Sequence, residues 1–169
     1  MKYILLSLAL ITGTAQAGLL DTISTVVGGH VSDAVNRFNA EDQVVQGTVI
    51  KEGSIREDDP GQDFLHNAKG SVSLIEKDGT YYVQLGSDFD SSPGPDYHVY
   101  VSTSASITKE SDFNSTVQHE LGELLQGKGA SFYEVTLPRG VHAKSIQSVT
   151  IWCKAFGEFI GSATISSVQ

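Results

Sequence analysis

Cysteine and methionine are nearly missing from this sequence: each occurs once in 169 residues, and the methionine is the initiator. A lone cysteine, Cys153, excludes an internal disulfide and the C-x-x-C-H attachment of a c-type haem. It also excludes zinc and iron–sulfur sites built from several thiolates. What stays open for Cys153 is a buried structural role, a ligand, a redox centre, or half of an intermolecular bridge. Blue copper is not expected, because it needs two histidines and usually an axial methionine beside the cysteine. No histidine follows Cys153, and Met1 is the only methionine.

Positive charge is also scarce, with Lys and Arg together at 11 against 20 for Asp and Glu, a net charge of −9. Such a surface repels phosphate backbones and anionic lipid, so nucleic acid is a poor partner. No apolar run reaches the roughly 20 residues that span a bilayer, so no stable membrane insertion is expected. The motifs G-x-S-x-G and H-E-x-x-H and a phosphate-binding glycine loop are absent, which argues against a stand-alone enzyme. An EF-hand begun at Asp88 would put Val99 where the bidentate Glu belongs.

The N-terminus has a recognisable design. Lys2 precedes the apolar stretch Tyr3 to Ile11 (YILLSLALI), and Ala15-Gln16-Ala17 is a small-x-small cleavage site. Residues 1–17 therefore read as a signal peptide, and the mature protein is expected to be secreted or periplasmic. Residues 18–43 read as a helical lead-in, a short N-terminal helix with Leu20, Ile23, Val27, Val31, Ala34 and Phe38 on one stripe.

From residue 44 onward the period changes to two. Val44 to Ile50 is a strand candidate, and residues 51–63 (KEGSIREDDPGQD) read as a polar loop. Residues 70–86 form a hairpin about Asp78-Gly79, a pair suited to a type I′ turn. That turn pairs Lys77 with Thr80, Glu76 with Tyr81, Leu74 with Val83 and Val72 with Leu85, and puts the last four on one face. Tyr97 to Ser102 is a strand with Tyr97, Val99 and Val101 on one side, and residues 103–117 read as a Ser/Thr-rich surface excursion. Leu121 to Leu125 and Ser131 to Leu137 flank Gly127-Lys128-Gly129 as a second hairpin candidate. Two more strands, Ile146 to Phe156 and Glu158 to Ser166, join around Gly157. About eight short strands with glycine-rich turns predict an all-β, antiparallel β-sandwich over residues 44–169.

Cys153 falls in SVTIWCKAF, where alternation puts Val149, Ile151, Cys153 and Ala155 on one face and Trp152, Lys154 and Phe156 on the other. Apolar surroundings disfavour the charged thiolate that attacks, so a peroxidase-like or protease-like nucleophile is not expected. An inert core residue and a ligand for a cofactor in an apolar pocket both remain open. Non-covalent haem could take Cys153 or one of His30, His66, His98, His119 and His142. Asp96, after Gly94-Pro95, suits a turn leading into the next strand.

These residues resemble a known family. The run comprises Phe64, His66, Gly70 and Asp88-Phe89, then Gly94-Pro95-Asp96 leading into His98-Val99-Tyr100-Val101-Ser102. It continues through Leu121-Gly122, Leu124, Gly129, Tyr133, Leu137-Pro138 and Ser148-Val149 to Ile151-Trp152-Cys153-Lys154, Phe156, Gly161 and Ala163. Over about residues 64–166 this is similar to the DM-thirteen domain, a β-rich module related by proposal to DOMON haem- and sugar-binding domains. The resemblance implies a β-sandwich-like fold and an electron-transfer role centred on the family's single cysteine, here Cys153. That cysteine would act as a naked thiol or through a group such as haem. Cys153 is accordingly the candidate redox or haem-ligating residue, with His66, Asp96 and Trp152 as candidate cofactor contacts. The expected function is an exported redox module with a separate redox partner, and the apolar face around Cys153 favours the haem version. The alternatives are a non-catalytic binding module for a surface glycan or protein, and an intermolecular disulfide through Cys153.

Overall fold

A computed structural model describes residues 42–169, so the signal peptide and nearly all of the helical lead-in lie outside the described residues. The described strands are β1 (Thr48–Ile55), β2 (Ala68–Lys77), β3 (Thr80–Leu85), β4 (Asp90–Ser91), β5 (Tyr97–Ser102), β6 (His119–Glu123), β7 (Ser131–Glu134), β8 (Ser148–Cys153), β9 (Glu158–Thr164) and β10 (Ser166–Ser167). They form two sheets in which every pairing is antiparallel. One runs β10-β1-β2-β3-β7, with β4 added to β2, and the other runs β6-β5-β8-β9. The expected β-sandwich is the architecture found. No helix among the described residues is long and apolar enough to cross a membrane.

The β2–β3 hairpin sets the first sheet. Lys77 pairs with Thr80, Leu74 with Val83 and Val72 with Leu85, the register that the Asp-Gly turn dictates. Asp78 and Gly79 both have positive φ, 52° and 81°, as a type I′ turn requires. Val72, Leu74, Val83 and Leu85 are fully buried and meet Val99, Val101, Val149 and Ile151 from the second sheet in one core. Burying a side chain of this size stabilises the fold by about 1.5–3 kcal/mol.

Several expectations are corrected. Residues 51–55 belong to β1 rather than to a loop, because all five pair with β2 and Lys51 and Glu52 also pair with Ser166–Ser167. Residues 44–47 precede the strand. The two segments around Gly127-Lys128-Gly129 are strands, as expected, but not a hairpin. β6 pairs with β5 and β7 with β3, so the glycine-rich link carries the chain from one sheet to the other. The Ser/Thr-rich excursion contains a short helix, α1 (Glu110–Ser115), whose Phe113 is buried. Phe113, Ile107, Trp152 and Phe159 make a second apolar cluster on the outer face of the β6-β5-β8-β9 sheet, with Tyr100 packed against it. α1 exists to cover that face, which explains why a segment with one aromatic residue among polar ones folds as a helix.

Candidate functional site

β8 ends at Cys153 rather than running on to Phe156. Residues 154–157 turn the chain into β9, so Ala155 leaves the inner face and Phe156 is exposed. Within β8 the alternation is as expected: Val149, Ile151 and Cys153 face the core, and Trp152 faces α1. Cys153 retains 2% of its surface. Its Sγ–H donates to the Pro95 carbonyl at 3.2 Å, and the Lys154 N–H donates to the Asp96 carbonyl at 3.0 Å. The two stretches Gly94-Pro95-Asp96 and Trp152-Cys153-Lys154, far apart in the chain, thus meet directly, and the 93–96 loop lies over the sulfur.

The loop is shaped to do this. Asp96 has φ 57°, a left-handed conformation that Asp tolerates better than most residues. Its carboxylate lies 2.9 Å from Nε2 of His98. A Cβ on Gly94 would sit 2.3 Å from Cζ of Tyr97, so only glycine lets the loop close on that ring. Tyr97 stands opposite Cys153 in the β5–β8 register, and both point into the core. The Tyr97 hydroxyl is 3.4 Å from Oγ of Ser92. Burial raises the Tyr97 phenol above its ordinary value, and the Ser92 hydroxyl partly offsets that.

A polar network braces the loop from outside. His98 is largely buried, with its side chain 12% exposed, and its Nδ1 lies 2.7 Å from Oε1 of Glu120, close but off the hydrogen-bonding direction. Glu120 also accepts from Nζ of Lys154 at 3.2 Å and from the Tyr100 hydroxyl at 3.2 Å. Burial alone would raise the Glu120 carboxyl, but Lys154 and His98 outweigh it and hold the group below its ordinary value. Burial and the neighbouring Glu120 charge push the Tyr100 phenol well up.

Of the four nominated residues, Cys153 and Asp96 come together. Trp152 lies on the opposite side of the sheet, stacked on Phe113 with ring centroids 4.0 Å apart. His66 sits on the loop before β2, its Nδ1 3.3 Å from the Asp63 carboxylate. The backbone N–H groups of His66 and Leu65 hold that carboxyl below its ordinary value. Asp88 binds the N–H and hydroxyl of Ser71. No group of three or more His, Cys, Asp or Glu side chains placed to hold a metal ion occurs among the described residues. Tyr97, Glu120 and Lys154 are not among the site residues the sequence points to, and His98 is there only as one of five histidines that could ligate haem. The spacing Asp96-x-His98 was the only local signal, since Glu120 and Lys154 arrive through strand pairing.

An open groove of about 510 Å³ is lined by Phe64, Asn67, Lys69, Ser92, Pro93 and Lys128 among others. Cys153 does not line it, but Ser92 does, and Ser92 touches Tyr97.

Comparison with known proteins adds three findings. The model of the family described as "Electron transfer DM13" matches residues 61–165. No curated protein matches the sequence. Among solved structures, Candida albicans Superoxide Dismutase 5 (SOD5), Cu(II), is similar at a TM-score of 0.42 and 14% identity, over 72% of this chain and 94% of that one.

Proposed function

The chain belongs to the electron-transfer DM13 family, and on that premise we propose that its redox group is the thiol of Cys153, exchanging single electrons with a separate redox partner. The observation that carries this reading is the meeting of the two motifs over one sulfur: Sγ–H on the Pro95 carbonyl, and Lys154 N–H on the Asp96 carbonyl. Thiol–disulfide exchange needs an attacking sulfur in contact with the Cys153 sulfur. A residue with 2% of its surface exposed and no second cysteine in the chain is badly placed for that. A single electron needs no such contact, because it can tunnel through the packed loop. Loss of the electron leaves a thiyl radical and releases the S–H proton.

Haem fits this site poorly. An axial thiolate must face a cleft wide enough for the macrocycle. Cys153 instead points at the Pro95 carbonyl within a core shared with Tyr97, Val99 and Ile151. Asp96, His66 and Trp152 share no common space beside it. The reading therefore runs through the thiol itself.

The test is oxidation of the purified protein with hexachloroiridate(IV), a one-electron oxidant, with mass-spectrometric detection of a spin-trap adduct on sulfur. Wild type should form the adduct at Cys153, and Cys153→Ser should lose it with the fold retained. A wild-type protein that forms no adduct at Cys153 would sink the proposal. A Soret band on added haem that shifts in Cys153→Ala would replace the thiol version with the haem version. We also propose export, supported by Lys2, the apolar stretch to Ile11 and Ala15-Gln16-Ala17. Its check is the mature N-terminus, expected at Gly18.

A further inference from the structure

We infer that Tyr97 is the electron relay between Cys153 and the groove lined by Ser92. The inference rests on the redox reading of Cys153 and supplies the route by which a covered sulfur is reached. Four observations converge on this side chain. Tyr97 is the direct cross-strand partner of Cys153, and directly opposed residues have Cβ atoms about 4.5–5.5 Å apart. Tyr97 is 4% exposed and Cys153 is 2% exposed, so water separates neither from the other. The ring lies beneath Gly94, where it occupies the place of a Cβ. Its hydroxyl reaches Ser92, 3.4 Å away, and Ser92 lines the groove.

The chemistry of a phenol fits that position. A phenol is protonated at neutral pH and burial only raises Tyr97 further, so oxidation must release a proton as well as an electron. Ser92 is placed to pass that proton on: its Oγ accepts the Asn67 N–H at 3.1 Å, which leaves its own O–H for a proton acceptor in the groove. The steps balance. A one-electron oxidant in the groove takes one electron from Tyr97 while the phenol O–H bond breaks and its proton leaves through Ser92, giving a neutral phenoxyl radical. Cys153 then gives one electron to the phenoxyl, its S–H proton leaves by way of the Pro95 carbonyl to which it already donates, a proton returned through Ser92 re-forms the Tyr97 O–H bond, and the sulfur is left as a thiyl radical. Electron delivery to the sulfur runs in the reverse order.

Replacing phenol by phenyl keeps the ring under Gly94 and removes only the oxidisable O–H, so Tyr97→Phe is the discriminating variant. Stopped-flow oxidation by hexachloroiridate(IV), with the spin-trap adduct at Cys153 as readout, should slow by about tenfold or more in Tyr97→Phe, as befits loss of a positioned proton-transfer group. The solvent deuterium isotope effect should fall with it, a change that a merely structural role for the ring would not produce. Ser92→Ala should slow the reaction with Tyr97 intact, and Cys153→Ser should leave a longer-lived tyrosyl signal by electron paramagnetic resonance. A Tyr97→Phe protein that oxidises Cys153 at the wild-type rate with an unchanged isotope effect overturns the relay and leaves the redox thiol standing. A wild-type protein in which Cys153 takes up no oxidation overturns both.

Discussion

Gly94→Ala asks whether the 93–96 loop owes its closure to one missing methyl group. A Cβ at this position would lie 2.3 Å from Cζ and Oη of Tyr97 and 2.4 Å from Cε1. Carbon atoms pack at about 3.5–4.0 Å, so the overlap exceeds an ångström and either the ring or the loop must move. Expelling the ring gives up a buried aromatic side chain, and truncating such a residue costs about 3–5 kcal/mol. Lifting the loop breaks the Sγ–H contact to Pro95 and the Lys154 N–H bond to Asp96, at about 0.5–1.5 kcal/mol each. The second route is cheaper, so Gly94→Ala should destabilise the fold by about 1–3 kcal/mol, the usual range for overpacking. For a domain of this size that lowers Tm by roughly 3–15 °C. Thermal denaturation followed by circular dichroism gives the first number. Labelling of Cys153 by a chromogenic disulfide reagent gives the second, and it should be faster in folded Gly94→Ala than in wild type. Tyr97→Leu in the same chain should recover part of the lost stability, because the two sites are in contact and their effects should not add. Wild-type Tm together with wild-type labelling in Gly94→Ala would refute the account of how the thiol is covered.

Further predictions concern the core, the outer cluster and the brace. Leu74→Ala removes a fully buried side chain from the hairpin face and should cost about 2–5 kcal/mol in urea unfolding. Trp152→Ala and Phe113→Ala should each destabilise the protein, and the double variant should lose less than the sum, since the stacked pair contributes about 0.5–1.5 kcal/mol beyond buried area. Glu120 is pushed up by burial but held below its ordinary value by Lys154 and His98. Its contribution is therefore complete above the ordinary Glu range and lost as pH falls through the lowered folded value. Glu120→Gln should flatten the acid limb of a stability-against-pH curve and, with the brace loosened, speed Cys153 labelling near neutral pH. An unchanged acid limb would remove Glu120 from the network.

The parts of this protein legible in sequence are those whose geometry is local. Asp78-Gly79 admits one tight turn, that turn admits one register, and the period of two then assigns Val72, Leu74, Val83 and Leu85 to the core. The same period separates Cys153 from Trp152, and residues 97–102 form the strand their alternation predicts. Local patterns misled where a partner decided the outcome. Residues 51–55 are strand because β2 pairs with all of them and β10 with the first two, and the strands around Gly127-Lys128-Gly129 go to different sheets because β6 pairs with β5 and β7 with β3. α1 is helical because the outer face of β8 needs a cover, a requirement invisible in ESDFNS.

The sequence by itself determined the class of fold, the hairpin register, the chain's single sulfur and the face of the strand that carries it. Only the tertiary structure decided what that sulfur meets. Pro95, Tyr97 and the His98–Glu120–Lys154 brace reach Cys153 through pairings between β5, β6 and β8, and pairing between distant strands follows from the packing of the whole sandwich rather than from the spacing of any one segment.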